Sequence, residues 1–163
     1  MATVYWIDSL PNKARLGTMP RPYGGAMLKE EIESVKTAGA DAVVCLLEEK
    51  EIEKLLLQEE EALLKALGIT YIHFPIADFQ LPQPEEALNA LVDQLKTLLE
   101  KGKSVAIHCH GGIGRSTLIA GSVLISMGLT PLQALELITK ARGVKVPDTE
   151  EQKQWLLNRD KKH

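Results

Sequence analysis

Residues 105–127 constrain this chain more than any other stretch. Val105, Ala106 and Ile107 form a short apolar run that reads as a buried strand. It passes into His108-Cys109-His110-Gly111-Gly112-Ile113-Gly114-Arg115-Ser116 and then into an apolar segment, residues 116–127, that reads as a buried helix. A strand, a tight turn and a helix start gather inward-facing backbone N–H groups at the positive end of a helix dipole, and this makes an anion site. Gly111, Gly112 and Gly114 are expected to give the loop conformations closed to residues with a Cβ.

Two side chains turn an anion site into a reaction site. Cys109 opens the loop, where the N–H groups and the dipole should lower a thiol pKa below its free value and supply a nucleophilic thiolate. Arg115 closes it, and a guanidinium grips two oxygens of a tetrahedral anion in fork geometry. Ser116 is placed to offer a hydroxyl to the sulfur when the sulfur leaves. A nucleotide-binding loop would carry Gly at 109 and Lys at 115, which this chain does not. His108, Cys109 and His110 are adjacent, and three neighbours rarely converge on one ion, so no metal site is expected. A merely structural cysteine would explain the strand and helix but not three glycines and an arginine at the helix start.

A length of 163 residues suits one domain with a proper core, spanning 1–163. With 45% hydrophobic and 25% charged residues, a soluble globular chain is expected. A net charge of −3 gives no footprint for nucleic acid or a membrane surface. The first residues lack the basic start and apolar core of a signal peptide. Two cysteines make no disulfide framework, and a candidate thiolate points to the reducing cytoplasm.

The flanking elements follow from periodicity and punctuation. Residues 3–8 read as a strand, Pro11-Asn12 as a turn, and residues 14–19 as a hairpin arm pairing back. Pro20, Pro22, Gly24 and Gly25 forbid regular structure, and Arg21 in that loop is either a solvated charge or a cation on the pocket rim. Residues 26–38 read as a helix and 41–47 as a buried strand. Cys45 in that strand reads as packing, with a reversible disulfide to Cys109 as a lesser possibility. The acidic run 48–53 opens a helix to Leu67, its charges complementing the dipole without further function. Residues 70–74 form the next strand, where His73 reads as a packed histidine. Pro75, Pro82 and Pro84 then stiffen a loop carrying Asp78, a candidate proton donor, or else a turn cap. Pro84 reads as the first residue of a helix to Lys101, with Ala87, Leu88, Leu91, Val92, Leu95, Leu98 and Leu99 on one face. Thr130-Pro131 starts another helix to Arg142, with Leu132, Leu135 and Ile138 on a common face. Residues 149–158 form the last helix, with Trp155 and Leu156 inward.

Residues 14–158 resemble the dual-specificity branch of the protein tyrosine phosphatases, closest to the kinase-associated phosphatase type. The resemblance rests on Phe74-Pro75-Ile76-Ala77-Asp78, on residues 108–116, on Arg142-Gly143, and on Thr149-Glu150-Glu151-Gln152. It implies hydrolysis of phosphotyrosine and phosphoserine or phosphothreonine in proteins through a phosphocysteine, with no cofactor and no metal. It assigns Cys109 as nucleophile, Asp78 as acid then base, and Ser116 as an aid to thiolate departure. His110, Gly111, Gly112, Ile113, Gly114 and Arg115 bind phosphate; Gln152 orients the attacking water. His108 supports the loop and keeps the thiol acidic, Arg142 braces the loop, and Arg21 and Phe79 are rim candidates. His110 stands where lipid-directed relatives often carry Lys, which disfavours a phosphoinositide. The expected fold is α/β, a mixed, largely parallel sheet flanked by helices, with the site at the strand C-termini. A monomer acting on phosphoproteins, without nucleic acid or membrane, is expected. The alternatives are the same chemistry on an RNA 5′-phosphate, sugar phosphate or inositol phosphate, or a phosphate-binding pseudophosphatase.

Overall fold

The computed structural model describes residues 1–7, 10 and 13–159. The expected turn at Pro11-Asn12 lies outside these residues. Five strands form one sheet: β1 (Tyr5–Ile7), β2 (Leu16–Met19), β3 (Ala42–Cys45), β4 (Thr70–His73) and β5 (Val105–His108), in the order β1-β2-β5-β3-β4. β1 pairs with β2 antiparallel, as the hairpin reading requires; the remaining pairings are parallel. Parallel strands need crossovers, and the helices supply them.

Alternation along the strands splits the core into two layers. Leu16, Val44, Val105 and Ile107 face α4 (Glu85–Glu100), α5 (Arg115–Ser126), α6 (Pro131–Arg142) and α7 (Glu150–Leu157). Val43, Cys45 and Ala106 face α1 (Leu28–Thr37), α2 (Glu49–Lys54) and α3 (Glu60–Ala66). β5 is central, and α5, which follows it, is buried on every side from Arg115 to Ile125. An all-round apolar helix belongs in a core. The α/β expectation holds, and the strand C-termini converge at one edge, where Met19 and Cys45 both stand in register with His108.

Several sequence expectations are corrected. The single helix over 48–67 is two helices, broken between Lys54 and Glu60. Leu56 takes a left-handed φ of 57°, its carbonyl accepts the Gly25 N–H at 2.9 Å, and the turn lets Leu57 enter the core. A single 3-10 turn, Gly25–Met27, precedes α1, and Met27 is exposed. Pro84 caps α4 from outside, so Glu85 is the first helical residue. α6 buries Ala134, Leu135 and Ile138, leaving Leu132 at the edge of that face in solvent. Both cysteines are free, and they lie in opposite core layers, so the thiols do not face one another.

Candidate active site

The site is built where β5 ends. Cys109 is buried, and its Sγ lies 3.4 Å from Ser116 Oγ on the first turn of α5. The loop between them folds over the end of β2: the Arg21 N–H donates to the His110 carbonyl at 3.0 Å. Gly112 sits at the tightest point. Its φ is +71°, and a Cβ there would stand 2.6 Å from the Met19 carbonyl carbon. Gly114 needs its glycine for space alone, because a Cβ would collide with the Asp148 carboxylate. Gly111 meets neither constraint, so the expectation of a forbidden conformation at all three glycines is corrected to Gly112.

Arg115 is 2% exposed and heavily partnered. Nη1 donates to Glu51 Oε1 at 2.8 Å and to the Ile76 carbonyl at 2.9 Å; Nη2 donates to Glu51 Oε2 at 3.0 Å. Nη2 also lies 3.2 Å from Asp78 Oδ1. Sequence reasoning gave the acidic run only a dipole role, and this is corrected. Glu51 accepts the Glu48 backbone N–H at 3.0 Å, closing a capping box, and grips the loop arginine with both oxygens. Burial alone would raise the Glu51 carboxyl, but the Arg115 guanidinium and the Glu48 N–H outweigh it and hold it below its ordinary value. Burial disfavours the charged Arg115 in turn, and Glu51, Cys109 and Asp78 more than compensate.

Asp78 lies beyond β4 and reaches Arg115, as the loop position suggested. Its Oδ1 also accepts the Phe79 N–H at 3.0 Å. Phe79 is exposed and takes a left-handed φ of 61°, an uncommon state for a residue with a Cβ. Gln152 is fully buried rather than on a helix surface. Its Oε1 accepts the Thr149 N–H at 3.2 Å, and its Nε2 donates to the Gln80 carbonyl at 3.4 Å, tying α7 to the Asp78 loop. Arg142 braces the Cys109–Arg115 loop from outside, donating to the Gly112 and Gly111 carbonyls at 3.2 Å each while stacking on Tyr5. His110 is exposed and shares a cavity of about 320 Å³ with Arg21, Tyr5 and Tyr23; Phe79 does not line it. The Arg21 guanidinium stacks on Tyr23.

Sequence reasoning missed Glu51, Glu60 and Asp148. Asp148 precedes the Thr149 cap and so passes for a turn residue. Partial burial first, then the Asp78 charge, push its carboxyl above its ordinary value, against the pull of Arg115. It is therefore a second carboxylate beside the acid loop. Glu60 Oε2 lies 2.7 Å from His108 Nε2 with both side chains buried, and His108 Nδ1 lies 3.3 Å from the Cys109 carbonyl. Among the described residues, no helix is long and apolar enough to cross a membrane.

A thiol, an arginine and a carboxylate meeting on a glycine-bounded loop at the edge of this sheet place the chain among the phosphatases of the dual-specificity, tyrosine-phosphatase class. The family model described as "Polymorphic toxin system, DSP-PTPase phosphatase" matches residues 17–129, more than half of the chain, and the chain belongs to that family. It is 29% identical over 131 residues to cyclin-dependent kinase inhibitor 3 of Rattus norvegicus, covering 79% of this chain and 61% of that one. The chain thus spans 61% of the length of this curated relative. A crystal structure of kinase-associated phosphatase, with its catalytic cysteine replaced by serine, superposes with a TM-score of 0.82 at 23% identity, over 95% of this chain and 92% of that one. Tk-PTP in its active form gives 0.74 at 29% identity, over 96% and 97%. The tyrosine-phosphatase fold and family are therefore as the resemblance implied, and the chain is similar to the kinase-associated type.

Proposed function

We propose that this chain hydrolyses phosphomonoesters on protein side chains, phosphotyrosine together with phosphoserine and phosphothreonine, through a phosphocysteine intermediate. The observation that carries the reading is the convergence of Asp78, from the loop after β4, on the loop of Cys109 and Arg115, with Asp78 3.2 Å from the guanidinium and Ser116 3.4 Å from the sulfur. The Cys109 thiolate attacks phosphorus; an S–P bond forms as the ester P–O bond breaks, and Asp78 gives its proton to the departing oxygen. Asp78, now a carboxylate, takes a proton from water, the water oxygen attacks phosphorus, and sulfur leaves as a thiolate stabilised by the Ser116 hydroxyl. The loop N–H groups from His110 to Arg115 hold the non-bridging oxygens as charge builds. Gln152, fixed between the Thr149 cap and the Gln80 carbonyl, is placed to orient that water.

Arg115 favours an exchange on binding. Glu51 and Ile76 take three of its N–H bonds, and Asp78 Oδ1 forms an ion pair with Nη2 at 3.2 Å. A phosphate that takes Nη2 displaces Asp78 from it and frees the acid to face the leaving group. An exposed rim at His110 and Phe79, the net charge of −3, and relatives named as protein tyrosine phosphatases support a protein substrate over RNA. A nucleophilic thiolate and a second free cysteine in the opposite core layer suit the reducing cytoplasm.

Hydrolysis of p-nitrophenyl phosphate tests the mechanism. Cys109→Ser is expected to lose turnover by at least about a thousandfold while keeping tungstate binding. Asp78→Asn is expected to slow poor leaving groups far more than p-nitrophenolate. Wild-type turnover in Cys109→Ser, or equal slowing of both leaving groups in Asp78→Asn, would refute it. Preference for a phosphorylated oligonucleotide or inositol over phosphopeptides would overturn the substrate assignment.

A further inference from the structure

The geometry points to Glu60 as a positioning residue for the nucleophile, acting through His108 from the far face of the sheet. The inference rests on the reading of Cys109 as nucleophile. Glu60 is the first residue of α3, where a glutamate complements the helix dipole and is ordinarily exposed. This one is 1% exposed, beside a cluster of buried apolar side chains. Burying a carboxylate is costly unless a partner repays it. The partner is the His108 Nε2 at 2.7 Å, and the other carboxylate oxygen, Oε1, is buried with no hydrogen bond among the described residues. The carboxylate is therefore held for the imidazole.

The opposite ring atom faces the active site. His108 Nδ1 lies 3.3 Å from the Cys109 carbonyl, so the ring stands between Glu60 and the peptide that carries the nucleophile. Both ring nitrogens face acceptors, and only the doubly protonated ring donates to both at once. Burial alone would favour the neutral ring, and the Glu60 charge reverses this, raising His108 well above its ordinary value. Besides Glu60 of α3, the groups that face His108 are Cys45 of β3 and, through Cys45, Tyr71 of β4, whose hydroxyl burial pushes up, with Cys45, Glu60 and Glu61 adding to the effect. The Tyr71 hydroxyl stays neutral under that shift, and the Glu60 carboxylate is the leading charge that holds the imidazolium, with Cys45 adding to it. The pair thus turns its positive end toward Cys109, where a thiolate must form.

A metal reading of the same residues fits less well. Donor atoms of Cys45, Glu60 and His108 lie within 4.8 Å of one another. Two ligands each about 2.1 Å from a tetrahedral ion would stand about 3.4 Å apart. The Nε2–Oε2 separation of 2.7 Å is instead that of a charge-assisted hydrogen bond.

Nitrogen-15 NMR of the wild-type chain at about pH 7.5, a unit above an ordinary histidine, is expected to show His108 protonated at both ring nitrogens. In Glu60→Gln the ring is expected to be neutral, and iodoacetamide to alkylate Cys109 about fivefold more slowly at about pH 6. Tungstate should still protect the sulfur in that variant, which separates a changed charge from a collapsed loop. A neutral His108 in the wild type, an unchanged alkylation rate in Glu60→Gln, or one equivalent of tightly held metal would overturn the inference. The wild-type spectrum decides the matter even if the variant does not fold. Full activity in Cys109→Ser would sink the nucleophile assignment and leave the His108 protonation state untouched.

Discussion

Glu51 is one glutamate in a uniformly acidic run, and only the fold distinguishes it from its neighbours. It accepts one backbone N–H and two guanidinium bonds, while Glu53, two residues on, faces solvent. Glu51→Gln keeps an acceptor for the cap, because glutamine serves that position too. What it removes is the negative charge paired with a buried arginine. Turnover efficiency of this variant is expected to fall by about tenfold or more, and stability by about 1–3 kcal/mol. Glu53→Gln should change neither, and phosphatase assays with urea unfolding on both variants check the contrast. The same comparison shows what was legible at this scale. Cys109, Arg115 and Asp78 could be read because glycines and prolines mark their loops. Glu51, Glu60 and Asp148 could not, because each sits at a helix start where an acid already has an ordinary explanation. Their partners are many residues away along the chain, and no local pattern records such a pairing.

Loops and helices were legible to the extent that local chemistry decides them. The strand–loop–helix at 105–127 and the αL glycine closing α6 follow from punctuation alone. The break between α2 and α3 does not, since residues 48–67 contain neither proline nor glycine and favour helix throughout. There the Gly25–Leu56 bond and the burial of Leu57 override propensity. Glycine shows the same division. Gly68 and Gly112 both have positive φ, 76° and 71°, but a Cβ at 68 meets open space and a Cβ at 112 meets the backbone of Met19 and Pro20. Gly68→Ala is expected to cost about 1 kcal/mol, the conformational penalty alone. Gly112→Ala should cost more than this, because the β2 end or the phosphate loop must move. It should also weaken tungstate binding, which Gly68→Ala leaves intact. Thermal unfolding with and without tungstate separates the two effects, and equal behaviour would refute the close-approach argument.

Across the whole molecule, two glutamates of one helical layer, on α2 and α3, carry opposite acid–base couplings to one loop. Glu51, below Arg115, has its carboxyl held under its ordinary value of 4.5. Its contribution to stability is complete above that value and is lost as pH falls through the lowered folded one. His108, above Glu60, is raised well past its ordinary value of 6.5. Its contribution is complete below 6.5 and drains away as pH rises from there through the raised folded value. The urea midpoint is therefore expected to peak on the mildly acidic side of neutrality and to decline on both flanks. The flanks belong to different residues, which makes the claim separable. Glu51→Gln should flatten the acid limb and leave the alkaline one. Glu60→Gln should be least stable relative to wild type in mild acid and converge on it as pH rises, since the wild-type ion pair is itself lost there. Urea titrations of the three proteins across pH read both limbs. Should the Glu60→Gln deficit stay constant with pH, the glutamate would be acting by packing alone, and the coupling of the two faces through His108 would be refuted.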